Sequence, residues 1–284
     1  MRDSISIVLN VYKRSHLLAK QLWSIQRQSI APSEILVWEN GNETTPKDLL
    51  GGLKIARANH NFGVWARFSY ALNAGGEYIC VIDDDTIPGK KWLENCLETI
   101  KETPGLLGAR GVIFDNKNSY SMNKDVGIYN PNDETTIVDI VGHSWFFKKE
   151  WLAEYWSFAN KRYNNNLVGE DIHFSFVMQQ IIGLPTLVPR HPTNDFELWG
   201  SNPELSKLYG SGVEGISTST KSLQKFEKAL QHYRRIGFKT ISEMENQQIK
   251  LSKHSNIFYM FVQKFPRLMH KLAKIKNRLK KGII

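Results

Sequence analysis

The sequence contains few cysteines and lacks the signature motif of P-loop nucleotide hydrolases. Its 284 residues include two cysteines, Cys80 and Cys96, and no C-x-x-C spacing. This pattern excludes a disulfide framework and a cysteine-based zinc site, and it favours a reducing compartment. The sequence also has no G-x-x-x-x-G-K-[ST] motif, which argues against P-loop chemistry.

Long apolar segments are absent as well. No apolar run approaches the roughly 18 residues that a membrane span requires. The opening stretch, MRDSISIVLN, has no apolar core of the kind found in signal peptides. We therefore expect a cytoplasmic protein without a transmembrane helix.

Positive charge is plentiful, but it is concentrated in one segment. The net charge is +9, and residues 253–281 alone contain nine Lys and Arg and no Asp or Glu. The rest of the chain is neutral, which argues against nucleic-acid binding. Apolar residues recur at helical spacing within 253–284, which predicts a helix lying on the anionic inner face of the plasma membrane. The alternatives are a helix packed on the body of the protein and a dimer contact.

Strand and helix patterns alternate in the first third of the chain. The predicted strands are at 4–12, 33–42, 52–63 (a short strand with a loop) and 77–85, and the predicted helices are at 14–29, 64–75 and 90–102. This alternation predicts an α/β domain with a parallel sheet. Beyond residue 105 we predict strands at 105–114, 135–149 and 185–189, helices at 150–161 and 171–182, a long loop over 190–220, and a helical C-terminal end.

Polar residues stand where three of the predicted strands end. They are Asn10, Glu39 and the triplet Asp83, Asp84 and Asp85. The carboxyl ends of parallel strands form the ligand-binding edge of such sheets, so we expect these residues to lie together. Adjacent carboxylates suit Mg²⁺ or Mn²⁺, which take oxygen ligands and share them with phosphates. The alternatives are a solvated acidic turn and a structural Ca²⁺ site.

A second acidic pair, Glu170 and Asp171, follows Gly169 and opens a predicted helix. Carboxylates are favoured at a helix N-terminus by the helix dipole, so plain capping is one interpretation. Two adjacent acids also raise the pKa of one of them, which suits a general base.

Two longer stretches resemble family 2 glycosyltransferases of the GT-A fold. The first is ISIVLNVYKRSHLLAKQLWSIQRQSIAPSEILVWENGN, and the second is NFGVWARFSYALNAGGEYICVIDDDTIPGKKWLE. The second contains the N-x-G loop, the Ala-Arg helix and the D-x-D strand end of that family. The resemblance covers about residues 4–180, and it implies a mixed sheet flanked by helices. The sequence DDDT is also similar to the corresponding sequence of exostosin-type family 64 enzymes, which retain the anomeric configuration of the donor sugar.

The resemblance implies specific roles for residues of this sequence. Those for nucleotide-sugar binding are Asn10, Val11, Tyr12, Arg14, Glu39, Asn61, Arg67, Asp83 and Asp84. Asp85 would be the principal metal ligand, with Asp83 and a late histidine, His191, completing the shell around Mn²⁺ or Mg²⁺. Two departures put the nucleotide preference in doubt: Asn10 stands where Thr is usual, and Glu39 where Asp is usual.

The resemblance also assigns the acceptor side of the reaction. Asp171 would be the base that deprotonates the acceptor hydroxyl, with Glu170 beside it. Gly142, His143 and Trp145 would line the acceptor and donor sites, although Trp145 is also a candidate for the core.

These inferences predict a metal-dependent glycosyltransferase of polysaccharide biosynthesis. The donor would be a nucleoside-diphosphate sugar, with UDP as the expected nucleotide, and the acceptor a saccharide or a lipid-linked saccharide. The alternatives are a retaining exostosin-like transferase and a non-catalytic module that binds membranes or anionic polymers. We predict a catalytic domain at 1–218, divided into a nucleotide-sugar half (1–105) and an acceptor half (106–218), followed by a helical extension with the basic tail at 219–284.

Overall fold

A mixed β-sheet of nine strands forms the centre of the described part of the chain. The computed structural model describes residues 3–41, 44–49, 51–115, 119–120, 123–210 and 220–244. The strands are β1 (Ile5–Val11), β2 (Glu34–Glu39), β3 (Leu53–Arg57), β4 (Tyr78–Ile82), β5 (Leu106–Phe114), β6 (Asn123–Gly127), β7 (Thr136–Val138), β8 (Ile140–Lys148) and β9 (Thr186–Val188). The tail predicted to bind membranes, 253–284, lies outside the described residues.

Helices flank this sheet. They are α1 (Leu18–Gln26), α2 (Ala66–Tyr70), α3 (Trp92–Glu102), α4 (Trp151–Ser157), α5 (Glu170–Phe176, continued by a π-helical segment at Val177–Ile182), α6 (Pro203–Gly210) and α7 (Thr220–Arg235). No helix among the described residues has the length and apolar character needed to cross a bilayer. The predicted α/β fold with a mixed sheet and flanking helices is confirmed.

The strand order explains why the sheet is mixed. Its order is β3-β2-β1-β4-β8-β5-β9-β7, with β6 paired to β5. The first four strands are parallel, as the alternation of strands and helices predicted, and β8 then pairs antiparallel with both β4 and β5. Strands β1 and β4 are almost wholly buried because helices cover both faces of a parallel sheet.

An aromatic cluster packs α2, α4 and α5 against β8. The ring of Phe68 contacts those of Trp145, Tyr155 and Phe174 at centroid separations of 5.3 to 5.8 Å. All four side chains are buried. This cluster fixes α5, which carries the predicted base, against the strand that carries Gly142 and His143.

The structure contains elements that the sequence patterns did not predict. The segment 135–149 forms two strands rather than one: β7 pairs with β9, whereas β8 pairs with β4 and β5. Asp139 lies between them, and its buried carboxylate accepts hydrogen bonds from the backbone N–H groups of Phe114 and Ile241. Strand β6 was missed. Helix α6 lies inside the predicted loop, where Asn202 caps the backbone N–H of Glu204 at 2.9 Å and Pro203 takes the first helical position.

Candidate active site at the carboxyl edge of the sheet

A cavity of about 390 Å³ opens at the carboxyl ends of β1, β2 and β4, where the sequence predicted a ligand site. It also reaches β5, β8, α5 and α7. The predicted site residues that line it are Asn10, Tyr12, Arg14, Asn61, Arg67, Asp83, Asp84, Asp85, Gly142, His143, Trp145, Glu170 and Asp171. The fold therefore brings together residues that lie up to 161 positions apart in the sequence.

Two arginines form ion pairs with the aspartate triplet. The guanidinium of Arg67 forms an ion pair with Asp83, and that of Arg14 lies 2.7 Å from Asp84 and 3.6 Å from Asp85. Burial raises the pKa of the Asp84 carboxyl to about 6, and the neighbouring charge of Asp85 adds to that rise. The triplet is therefore a concentration of negative charge that the protein stabilises only in part, as expected of a cation site.

Arg67 also connects the triplet to the second acidic pair. Its other terminal nitrogen lies 2.7 Å from a carboxylate oxygen of Glu170, which is 103 residues away in the chain. The guanidinium lies over the ring of Trp145, 4.6 Å from its centroid, and the side chain is almost fully buried. A buried cation between two carboxylates fixes the position of both, because separating them would leave unpaired buried charges.

Asp171 lies beside this network and forms no ion pair with any residue in the described part of the chain. Its Oδ1 accepts a hydrogen bond of 2.7 Å from the backbone N–H of Ile172. Burial raises its pKa to about 6 and also raises that of Glu170. A carboxylate with a raised pKa at the wall of a cavity has the properties required of a general base.

A carboxylate–imidazole cluster is suited to a divalent cation. One ligand atom from each of Asp83, Asp85 and His143 lies within 4.8 Å of the others. The backbone N–H of Asp83 donates to the carbonyl of His143 at 3.0 Å, which extends the pairing of β4 with β8. His143 adopts a left-handed backbone conformation, with φ of 68°. Burial lowers the pKa of its imidazole, so a nitrogen lone pair is available at neutral pH.

Three predicted site residues do not line the cavity. Val11 is buried in β1. The carboxylate of Glu39 is fully buried, where it pairs with Arg57 and accepts a hydrogen bond of 2.6 Å from the backbone N–H of Thr45. The longer side chain, noted above as a departure from the family, is thus used to hold the loop after β2.

His191, the third of them, has a packing environment rather than a metal site. Its Nδ1 lies 2.7 Å from the carbonyl of Pro189, and its Nε2 accepts from the backbone N–H of Gly200 at 3.2 Å. The ring packs between Trp92 and Trp199. Because both ring nitrogens are engaged, the structure does not support the metal role predicted for His191. The imidazole near the aspartates belongs to His143.

The cavity also contains residues that the sequence did not single out for the site. They include Lys13, Asn40, Gly63, Arg110, Tyr120, Tyr129, Leu167 and Phe226. Asn40 directly follows β2, and its side chain donates to Asn61 Oδ1 at 2.9 Å and accepts from the backbone N–H of Phe62. Gly63 belongs to the N-x-G loop of the sequence resemblance, whereas the remaining residues belong to no motif noted in the sequence, so only the tertiary structure identifies them.

Comparison with known proteins identifies a family and shows similarity to a distantly related solved structure. The family model described as Glycosyl transferase family 2 matches residues 6–156. A crystal structure of Staphylococcus aureus TarS 1-349 in complex with UDP is similar at 16% sequence identity and a TM-score of 0.45, over 66% of this chain and 58% of that one. The matched region thus spans little more than half the length of that crystallised chain. No curated protein sequence matches it.

Proposed function

The chain belongs to glycosyl transferase family 2 and is a glycosyltransferase, and from that premise we propose a metal-dependent, inverting transfer from a nucleoside-diphosphate sugar to a hydroxyl group of a glycan or lipid-linked saccharide. The observation that carries this proposal is the double ion pair of Arg67. It holds Asp83, on the predicted donor side, and Glu170, beside the predicted base, at one cavity.

The donor would occupy the end of the cavity formed by β1, β2 and β4. Asn10 and Tyr12 line this end, and the hydrogen-bonded pair of Asn40 and Asn61 offers amide groups to a nucleoside. Arg14 lies close to Asp84 and Asp85, where its guanidinium would form an ion pair with the diphosphate of the donor. The resemblance to family 2 enzymes favours a UDP-linked sugar.

A divalent cation fits the donor set of Asp83, Asp85 and His143. Two carboxylates and one imidazole bind Mn²⁺ well, and the nitrogen ligand favours Mn²⁺ over the harder Mg²⁺. When bound, the cation would offset the negative charge that develops on the departing diphosphate.

Asp171 would act as the base. Its carboxylate takes the proton of the acceptor hydroxyl while the acceptor oxygen forms a bond to the anomeric carbon of the donor. The bond between that carbon and the diphosphate oxygen breaks, and its electron pair leaves with the nucleoside diphosphate. Attack from the face opposite the leaving group inverts the anomeric configuration. Glu170, held by Arg67, would keep the start of α5 in place.

Peripheral attachment to the inner face of the plasma membrane is part of the proposal. Its support is the basic amphipathic sequence of 253–284. Cosedimentation of the full chain with anionic and neutral vesicles, compared with a chain that ends at residue 252, tests it. We expect binding to anionic vesicles only with the tail present.

Release of nucleotide from a panel of nucleoside-diphosphate sugars tests the central proposal. We expect turnover of one donor with Mn²⁺ or Mg²⁺, its loss on addition of EDTA, and a decrease of about 100-fold or more in Asp85→Asn. Asp133→Asn, which replaces an exposed carboxylate outside the cavity, is the matched control. If no donor is bound or turned over and EDTA changes nothing, the proposal fails. The anomeric configuration of the product, measured by NMR, separates inversion from an exostosin-like retaining reaction.

A further inference from the structure

Two stacked aromatic rings, Tyr120 and Phe226, form one side of the cavity. Tyr120 lies between β5 and β6, and Phe226 lies on α7. The ring centroids are 4.9 Å apart, and the planes are 16° from parallel. Both side chains are half-buried, and both line the cavity. We call this pair the aromatic wall.

Helix α7 positions both members of the aromatic wall. Glu227, next to Phe226, accepts a hydrogen bond of 2.7 Å from the backbone N–H of Tyr120 through its Oε2. The hydroxyl of Ser119 lies 3.4 Å from the same oxygen. Ser119 and Tyr120 are therefore hydrogen-bonded to the helix that carries Phe226, which holds the two rings in a fixed relative orientation.

The aromatic wall lies beside the proposed base. On α7, the methyl group of Ala229 approaches Gly169, at 3.5 Å from where a Cβ would be, and Gly169 immediately precedes Glu170 and Asp171. Phe226 is three residues before Ala229, so it lies on the same face of α7. Burial and then the charge of Asp171 raise the pKa of the Tyr120 hydroxyl, which agrees with their proximity.

The strand order places the aromatic wall opposite the donor end. From β1 the sheet continues through β4 and β8 to β5, and Tyr120 follows β5. The proposed nucleoside end lies at β1 and β2, and the aspartate triplet lies at the end of β4. A second substrate at the aromatic wall would therefore approach the reaction centre from the opposite side, next to Asp171.

Charge at this end of the cavity disfavours an anionic ligand. Among the described residues that β5, β8, α5 and α7 contribute to the lining, Arg110 is the only Lys or Arg, and it is paired with Asp125 at 2.6 Å. Its guanidinium also lies over the ring of Tyr129, at 4.9 Å from the centroid. The acidic pair on α5 adds negative charge, whereas Val112 and Ile140 contribute apolar surface.

We propose that the aromatic wall is the acceptor subsite, and that the acceptor is an uncharged pyranose residue seated against Tyr120 and Phe226 with its reacting hydroxyl toward Asp171. The C–H bonds on one face of a pyranose form an apolar surface with a partial positive charge, which complements the negative face of an aromatic ring. This assignment rests on the proposed function, because it names the acceptor of that reaction. It also makes α7 part of the active site.

Acceptor kinetics with uncharged and charged probes test the assignment. The uncharged probes are the α- and β-methyl pyranosides of glucose, galactose and N-acetylglucosamine, and the charged probe is glycerol 3-phosphate. The variants Tyr120→Leu and Phe226→Leu keep an apolar side chain and remove the flat ring. Leu223→Ala, an exposed residue on the same helix, is the control.

We expect transfer to at least one pyranoside. The acceptor KM should rise about 3- to 10-fold in each leucine variant, and by a larger factor than the donor KM. Leu223→Ala should behave as the parent. Transfer to glycerol 3-phosphate without transfer to any pyranoside would overturn the assignment, and so would an acceptor KM unchanged in both leucine variants.

Direct binding separates the failure of this assignment from failure of the proposed function. Saturation-transfer NMR of the same methyl pyranosides needs neither donor nor turnover. Binding that is lost in Phe226→Leu and kept in Leu223→Ala supports the subsite even if no donor is turned over. Donor hydrolysis that persists without pyranoside binding or transfer leaves the glycosyltransferase proposal intact and refutes the subsite.

Discussion

At the residue scale, charge pairing determines the arrangement of the site. Arg67 is buried between Asp83 and Glu170, and Arg14 lies between Asp84 and Asp85. Three adjacent carboxylates would repel one another, and the two arginines offset that repulsion in the absence of a cation. In the proposed reaction, a bound cation and a diphosphate would add charges of both signs at the same place, so the carboxylates and the arginines would each still have an oppositely charged partner.

The pKa of Asp171 gives a prediction for the pH dependence of the reaction. A base acts in its ionised form, and burial raises the pKa of Asp171 to about 6. We expect kcat/KM to fall about tenfold per pH unit as the pH drops below about 6. Initial rates of transfer measured from pH 5 to 8 at low substrate concentration test this. A rate that stays constant down to pH 5 would contradict the assignment of Asp171 as the base.

At the residue scale, the sequence predicts the position of a residue where that position follows from local pattern, and it does not predict which distant partners the side chain contacts. Asp85 and Asp171 line the cavity because a strand end and a helix start place them there. Glu39 lies at the end of β2, where the sequence predicted it, but Arg57, a residue of β3, engages its carboxylate. Which of His143 and His191 lies near the aspartates depends on the residues packed around each ring. Those residues come from distant parts of the chain, so the local sequence does not indicate them.

At the scale of elements, the site depends on a contact between two loops. The loop before α2 contains Gly63, and the loop before α5 contains Asn166. The backbone N–H of Val64 donates to the carbonyl of Asn166 at 2.8 Å. A Cβ on Gly63 would lie 1.8 Å from that carbonyl oxygen, and φ at Gly63 is +79°. Only glycine allows this approach, which joins the donor side of the cavity to the loop that leads to the proposed base.

Replacement of Gly63 by alanine tests the loop contact. Gly52→Ala is the matched control, because Gly52 has a similar φ of +75° and open space around its Cβ position. Both variants introduce backbone strain, but only Gly63→Ala forces the loops apart. We expect Gly63→Ala to lower the free energy of unfolding by on the order of 1–3 kcal/mol more than Gly52→Ala, and to reduce transfer selectively. Chemical denaturation and initial rates measure the two effects; equal costs for the two variants would argue against the contact.

Element prediction was most successful where periodicity was clear. The strands β1, β2 and β4 and the helices α1 and α3 lie inside the predicted ranges, since buried strands and amphipathic helices have distinct hydrophobic periods. The missed α6 had a readable signal, Asn202 followed by Pro203 at a helix start. The missed β6 is short and partly polar, and its strand conformation comes from pairing with β5.

At the scale of the whole molecule, a buried carboxylate ties the sheet to the C-terminal part of the chain. Asp139, between β7 and β8, is fully buried and accepts backbone hydrogen bonds from Phe114 at 2.7 Å and Ile241 at 2.6 Å. Burial raises its pKa from the ordinary value of 3.8 to about 6. The folded state therefore binds a proton at Asp139 more tightly than the unfolded state does.

The raised pKa of Asp139 gives a prediction for stability. Its contribution to the free energy of unfolding should be largest below about pH 4 and should fall as pH rises to about 6, by at most about 1.4 kcal/mol per pH unit. Asp139→Asn removes this titration, so the destabilisation caused by the variant should be greatest at low pH and smaller at pH 7. Urea denaturation at pH 4.5, 5.5 and 7 tests this, with Asp133→Asn as a control for the chemical change at an exposed site. A pH-independent difference between the parent protein and Asp139→Asn would contradict it.

The sequence by itself determined the fold class, the carboxylate cluster at the end of β4 and the acidic pair at the start of α5. These features follow from hydrophobic period and from the order of motifs along the chain, which are local properties. Only the tertiary structure decided which histidine lies near the aspartates, that Arg67 joins the two acidic groups, and that α7 contributes Phe226 to the cavity. Those features are contacts between residues far apart in the chain, and they exist only once the sheet order and helix packing bring the partners together.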